Sequence, residues 1–194
     1  SPLQYLQTRR LLTAKQLLAD SDLPVTQVAL ASGFASVRRF NAAFAQHYGL
    51  SPTQVRREGA RPAQGLVTVR LGYRPPYDVD AMLGFFATRA IEGMERVEGR
   101  SLARTLAITT GGRTCAGWLR ARFDDTQPVV VLEVGEGLRD VLPLVIRRVR
   151  ATLDLDADPA VIQARLADPF PGTAGLRVPG TLSGWELAVR AVLG

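Results

Sequence analysis

The stretch from Pro24 to Tyr48, PVTQVALASGFASVRRFNAAFAQHY, constrains this chain more than any other. It reads as two short helices joined by a tight turn. Val25, Val28 and Ala29, with Ala31 after them, give the first helix its apolar positions. Ser32-Gly33-Phe34 is the turn: Gly33 tolerates positive φ, and Phe34 can plug the corner between the helices. Ser36 is placed to cap the second helix. Phe40, Phe44 and Tyr48 then recur every four residues, which gives that helix one aromatic face to bury. Its other face shows Val37, Arg38, Asn41, Ala42 and Ala45, with Arg39 beside them. Two cations and an amide near a helix start, opposite an aromatic anchor, suit a recognition helix in a DNA major groove. Periodicity alone fits an ordinary helical hairpin with a solvated basic face equally well.

Charge separates the two readings further. Of the net +6, residues 1–62 hold eight cations against three acids, a net of +5, and residues 63–194 hold sixteen against fifteen, a net of +1. The basic excess therefore sits on the helix-turn-helix half, where a phosphate footprint needs it. At 194 residues, 46% apolar and 22% charged, the chain can hold one large or two small folded domains. No apolar run reaches the length of a membrane span, and the first residues lack the apolar core of a signal peptide. A single cysteine, Cys115, excludes a disulfide framework and a cysteine-cluster zinc site, and suits a reducing cytoplasm.

Along the chain, Leu3, Leu6, Arg10, Leu11, Leu12, Leu17 and Leu18 mark a long amphipathic helix from about Pro2 to Ala19, ended by Asp20-Ser21-Asp22. Glu58 to Gly65, EGARPAQG, reads as a linker. Leu66 to Tyr73 alternates as a strand. Asp78 can cap a helix running to about Ile91, with Met82, Leu83, Phe85, Phe86 and Ile91 on it. Strands are expected over Met94–Val97, Leu102–Thr109, Thr114–Phe123 and Val129–Val134. Gly111-Gly112 supplies a two-residue hairpin turn and Asp124-Asp125 to Pro128 another. Leu138–Leu153 reads as a helix burying Val141, Leu142, Val145, Ile146 and Val149, with Pro143 in its first turn. Pro159–Leu166 is a short helix, and Leu182–Leu193 an apolar one that would expose Leu182, Trp185, Val189 and Val192. The order β-α-β-β-β-β-α with hairpin-length turns describes an antiparallel sheet with helices on one face. The fold class is thus two domains, all-α then α+β.

The residues Ala29, Gly33, Phe34, Ser36, Phe40 and Phe44, followed by Tyr48-Gly49-Leu50-Ser51-Pro52, resemble the second helix-turn-helix of AraC/XylS-family transcription regulators. Arg56 and Arg57 also match that family's closing helix, and the helix before Asp20 matches its connecting helix. The resemblance implies DNA contacts at Ser36, Val37, Arg38, Arg39 and Asn41. Arg38 and Asn41 are suited to guanine and adenine edges and Arg39 to a phosphate. It also implies a first helix-turn-helix unit upstream of Ser1.

Two further strings resemble the N-terminal domain of AlkA-type DNA-3-methyladenine glycosylases, running into the first helix of their catalytic domain. One is Tyr73-Arg74-Pro75-Pro76-Tyr77-Asp78, followed by Met82-Leu83-Gly84-Phe85 and Arg89-Ala90. The other is Gly175-Leu176-Arg177-Val178-Pro179-Gly180, followed by Trp185-Glu186 and Val189 to Gly194. Behind an AraC-like module they look like the Ada–AlkA type of fusion, in which an alkylation-responsive regulator is joined to a glycosylase. The resemblance implies a module over residues 1–60, a linker over 61–65, an AlkA N-terminal-like domain over 66–174 and the start of a catalytic domain over 175–194. It implies a parent enzyme that flips alkylated bases into an aromatic cleft and hydrolyses the N-glycosidic bond with an Asp, without metal or other cofactor. That Asp is expected beyond Gly194, so the chain itself is expected to bind double-stranded promoter or alkylated DNA without turnover. Its other expected partner is that catalytic domain, with no membrane partner. Phe85 is the one cleft-lining candidate, and the same spacing also suits an ordinary core aromatic.

Other chemistry is weaker. Gly135-Glu136-Gly137 lacks the lysine of a P-loop and the third glycine of a dinucleotide fold. Asp124 and Asp125 sit where turn chemistry is expected, Cys115 where a buried structural thiol is expected, and His47 at a helix end without metal-ligand spacing. Two other readings remain: an AraC-family regulator with a non-catalytic effector or dimerisation domain, and a chain with no function of its own.

Overall fold

The computed structural model describes residues 2–21, 23–55 and 66–193. Arg56, Arg57, the Glu58–Gly65 linker and Asp22 lie outside the described residues. The chain packs as two compact units, one formed by residues 1–70, 107–118 and 133–143, the other by 71–106, 119–132 and 144–194.

The first unit opens with four helices: α1 (Pro2–Asp20), α2 (Val25–Ala31), α3 (Val37–Tyr48) and α4 (Pro52–Val55). The apolar stripe of α1 is Leu11, Ala14, Leu17 and Leu18, all buried, at i, i+3, i+6 and i+7. Leu6 and Leu12, expected on that stripe, point outward instead. They sit off the buried angle, and Ala14 takes the position between Leu11 and Leu18. After Asp20, the Ser21 hydroxyl donates to the Leu17 carbonyl at 2.6 Å and closes the last turn. The stripe packs α1 against α2 and α4.

The five strands are β1 (Leu66–Gly72), β2 (Glu95–Glu98), β3 (Ser101–Thr110), β4 (Arg113–Phe123) and β5 (Val129–Gly135), in the order β1-β5-β4-β3-β2. The sheet is antiparallel, as the hairpin turns require. Both central residues of the β3–β4 turn, Gly111 and Gly112, have positive φ, the geometry that matches strand twist in a two-residue hairpin. Gly99 does the same for β2–β3, and sets a register in which Glu95 faces Arg104. Period-two burial puts Val67, Val69 and Leu71, then Val130, Leu132 and Val134, then Leu119, Ala121 and Phe123, into the core. Between β4 and β5 the Asp124 carboxylate accepts from the amides of Thr126 and Gln127 at 2.9 and 3.0 Å. That side chain builds the turn.

The remaining helices are α5 (Val79–Ala87), α6 (Leu142–Thr152), α7 (Pro159–Leu166) and α8 (Gly184–Leu193). Asp78 caps α5 by accepting from the Ala81 amide at 2.8 Å. The helix ends at Ala87, four residues before the expected Ile91. The Thr88 hydroxyl donates to the carbonyls of Gly84 and Phe85 at 3.2 and 3.1 Å, which closes the turn there. The expected helix from Leu138 begins instead as a 3-10 segment, Glu136–Val141, and becomes α-helical at Leu142. Pro143 falls in the first turn of α6, where its missing N–H has no partner to lose. Leu142, Val145, Ile146, Val149 and Leu153 form one buried stripe. Cys115 is half-buried, not buried as expected, because β4 is exposed towards its start.

The Gly135-Glu136-Gly137 run is a packing device. A Cβ on Gly137 would fall on the Ala116 carbonyl oxygen, and one on Gly135 would stand 2.9 Å from the Trp118 indole nitrogen. Glycine is needed there for close approach within the unit.

Candidate functional site

The helix-turn-helix brings its candidate residues onto one surface. Gly33 has φ +85°, and a Cβ there would stand 3.1 Å from Nε of Arg10. The positive φ is the reason for glycine in this turn, over which the Arg10 side chain lies. Phe34, Phe40, Phe44 and Tyr48 form a ring ladder with centroid separations of 5.2, 5.4 and 4.7 Å. Phe40 and Phe44 are fully buried. Burial also raises the Tyr48 hydroxyl above its ordinary pKa, and Nζ of Lys15 stands 5.1 Å over its ring. This ladder fixes the rotation of α3 about its axis, so the opposite face is fixed too.

Ser36 caps α3, its hydroxyl accepting from the Arg39 amide at 3.3 Å. Arg38, Arg39, Asn41, Ala42 and Ala45 are exposed and Val37 is half-buried. Among the described residues neither Arg38 nor Arg39 has an ion-pair partner, and the first turn of α3 holds no acid. Two cations at the positive end of a helix dipole each cost up to about 1 kcal/mol. An anion placed there removes that cost and gains the free backbone N–H groups as well.

In the second unit the Tyr73–Asp78 and Gly175–Gly180 strings pack on each other. The Arg177 guanidinium donates from Nη2 to the carbonyls of Arg74 and Pro76 at 2.6 and 3.0 Å, and its Cζ lies 5.1 Å from the Tyr77 ring centroid. The Asp78 amide donates to the Gly175 carbonyl at 2.8 Å. Tyr77 stacks with Tyr73 and Phe123 and donates its hydroxyl to the Leu153 carbonyl at 2.6 Å. Burial drives its pKa well above the ordinary tyrosine value. Arg177 and Gly175 of one string thus meet Arg74, Pro76, Tyr77 and Asp78 of the other.

Beside them lies a cavity of about 210 Å³, whose lining includes Phe85, Phe86, Leu102, Thr152, Leu182 and Leu187. Phe85 is half-buried on its wall, with the Arg89 guanidinium 4.1 Å over its ring. Leu182, expected to be exposed, is buried at this cavity, and its carbonyl accepts from Arg148 at 3.1 Å. Trp185, Val189 and Val192 are exposed, as the apolar pattern of that helix requires.

Sequence reasoning missed the polar end of the cavity, where Glu95, Arg104, Glu186 and Arg190 meet. The signals were present: Gly99 sets Glu95 opposite Arg104, and Glu186 and Arg190 are four apart on a helix. His47 sits exposed in the last turn of α3 with its ring against Tyr48. Among the described residues no helix is long and apolar enough to cross a membrane.

Residues 68–183 match the family model for the AlkA N-terminal domain. The chain belongs to that family. Residues 1–58 match a helix-turn-helix domain of the AraC type, so the chain joins such a segment to an AlkA N-terminal domain. It is 35% identical over 204 residues to a probable bifunctional transcriptional activator/DNA repair enzyme AlkA of Mycobacterium tuberculosis (strain CDC 1551 / Oshkosh), covering 99% of this chain and 40% of that protein. It is 32% identical over 124 residues to DNA-3-methyladenine glycosylase 2 of Escherichia coli (strain K12), covering 64% of this chain and 43% of the enzyme. Its helix-turn-helix is 46% identical over 54 residues to the probable transcriptional regulator LumQ of Photobacterium leiognathi, covering 28% and 22% of the two chains. The chain thus spans about two fifths of the length of the first two of these relatives.

Proposed function

We propose that this chain is the front part of an alkylation-response protein that reads promoter DNA and, in its whole form, excises alkylated bases from DNA. Residues 1–60 are the reading module, 61–65 the linker, 66–174 the AlkA N-terminal domain and 175–194 the lead into the catalytic domain. The observation that carries the reading is the pair Arg38 and Arg39, without ion-pair partners among the described residues, at the N-terminus of a helix anchored by a buried aromatic ladder. In this reading α3 lies in the major groove, Arg38 and Asn41 meet base edges, Ser36 and Val37 approach the backbone and a base methyl, and Arg39 holds a phosphate. Phe85 contributes an aromatic wall to the base cleft of the whole protein. No residue of 1–194 is assigned to bond cleavage. In this reading the protein works in the cytoplasm, where its DNA partner is.

Selection of bound duplexes from a random pool tests it. The chain is expected to enrich one motif. Arg38→Ala should relax one position of that motif, and Arg39→Ala should weaken all bound sequences alike. Enrichment of no motif by the parent chain would refute the reading.

The cavity beside Phe85 favours a second reading, a regulator whose second domain takes a small effector. Joining Gly194 to a catalytic domain of the same glycosylase family separates the two. Base excision supports the first reading, and effector-dependent operator affinity without excision supports the second.

A further inference from the structure

The charged end of the cavity is a closed ring of alternating sign. On β3, Arg104 donates from Nη1 to Glu95 at 2.7 Å and from Nη2 to Glu186 at 2.7 Å. On α8, Arg190 donates from Nη2 to Glu95 at 2.8 Å and to Glu186. Each carboxylate is thus shared by two guanidinium groups and each guanidinium by two carboxylates. The side chains of Arg104 and Glu95 are only 6% and 7% exposed. Two cations and two anions cancel, so the ring offers no net charge to a ligand.

A buried ion cluster is a poor source of net stability compared with apolar packing, because desolvation offsets most of the attraction. Its geometric demands are strict, since each fork must meet two acceptors in plane. The ring also reaches beyond its own members. Arg190 donates from Nη1 to the Arg89 carbonyl at 2.6 Å, just past the end of α5. Arg89 lies over the Phe85 ring and donates to the Phe85 carbonyl at 3.3 Å. Glu95 accepts from the Ile91 amide at 3.1 Å, which ties the same segment from its other end.

We propose that the Glu95–Arg104–Glu186–Arg190 ring is a positioning device that locks α8 to the β2–β3 hairpin and, through Arg89, holds the Phe85 ring in one orientation on the cavity wall. Arg190 is its key residue, because among the described residues it alone bonds both carboxylates and the segment that carries Arg89. Lysine is a poor replacement: the three bonds leave from two nitrogens of one planar group, Nη1 and Nη2, and a single ammonium nitrogen cannot stand at both places. The inference rests on the reading of Phe85 as a cleft wall only for its purpose, and its test does not involve a base.

The test is ¹⁹F NMR of the whole chain labelled with 4-fluorophenylalanine, with the Phe85 line assigned by its loss in Phe85→Leu. Arg190→Met and Arg190→Lys are each expected to shift or broaden the Phe85 line, with the line of Phe123, buried in the same unit and away from the ring, unchanged as the internal control for folding. A Phe85 line at the parent position in Arg190→Lys, with the control intact, would overturn the proposal. If Arg190→Met fails to fold, Glu186→Gln is the second variant. It keeps the size of the side chain, removes one anion of the ring, and should move the same line. Whether the cavity takes a base is decided separately, by the joined protein described above.

Discussion

Gly175→Ala should be among the most damaging single-methyl changes in the chain. Gly175 has φ +84°, and a Cβ there would stand 2.9 Å from the Asp78 amide nitrogen, 3.1 Å from the Tyr77 nitrogen and 3.2 Å from the Tyr77 carbonyl carbon. All three are backbone atoms, so no rotamer change relieves the contact. The left-handed backbone costs about 1–2 kcal/mol for any residue with a Cβ. Separating the two strings adds about 1–3 kcal/mol of overpacking and strains the hydrogen bond from the Asp78 amide. The expected total is roughly 3 kcal/mol, with Tyr77 and Arg177 loosened as a consequence. Gly172 supplies the matched control: its φ is +83°, but nothing lies within 4 Å of its Cβ position. Gly172→Ala should therefore show the conformational cost alone. The assay is urea unfolding at constant m, followed by near-ultraviolet circular dichroism of the Tyr73–Tyr77–Phe123 cluster. Equal losses in the two variants, within about 0.5 kcal/mol, would refute the argument that the strings are pressed together at Gly175.

Three further outcomes are expected. Ser36→Ala should cost about 1 kcal/mol by removing the cap of α3, and Ser36→Gly only a few tenths, in thermal unfolding of the chain. Phe44→Ala should cost about 3–5 kcal/mol and abolish DNA binding in a gel-shift assay, because the ring anchors the α3 ladder in a fully buried site. The Glu186 carboxyl is raised by burial, but the hydrogen bonds from Arg104 and Arg190 outweigh this and hold its pKa below the ordinary 4.5. Its contribution is therefore present above that value and lost as pH falls through the lower folded one. The urea midpoints of the parent and Glu186→Gln should converge on acidification, and a constant gap would contradict the assignment.

How much of this could be read from the sequence depends on how local the cause is. The aromatic ladder, the Ser36 cap and the glycine turns all act within a few residues, and α3 and the β3–β4 hairpin were legible for that reason. The end of α5 was not, because Thr88 closes it with a side-chain hydrogen bond that has no strong sequence signature. Gly137 was open to a ligand-loop reading because the atom that needs its missing Cβ, the Ala116 carbonyl, lies twenty-one residues away. The charged ring is the extreme case. Its four members come from β2, β3 and α8, and only their two local pairs were visible in spacing. The strings that resemble AlkA-type glycosylases contain Gly175 and Arg177 but give neither a task. The fold supplies the tasks, a guanidinium over Tyr77 and a glycine against Asp78.

In the proposed function α3 meets DNA through Arg38 and Arg39. Its most direct test is the affinity for a fluorescent mixed-sequence duplex across salt, from about 50 to about 200 mM, for the parent chain and for Arg38→Ala with Arg39→Ala. The variant is expected to bind more weakly, with a slope of log affinity against log salt reduced by about one or more. Unchanged affinity and an unchanged slope would contradict it, and α3 would then be a solvated helix of a hairpin that does not read DNA.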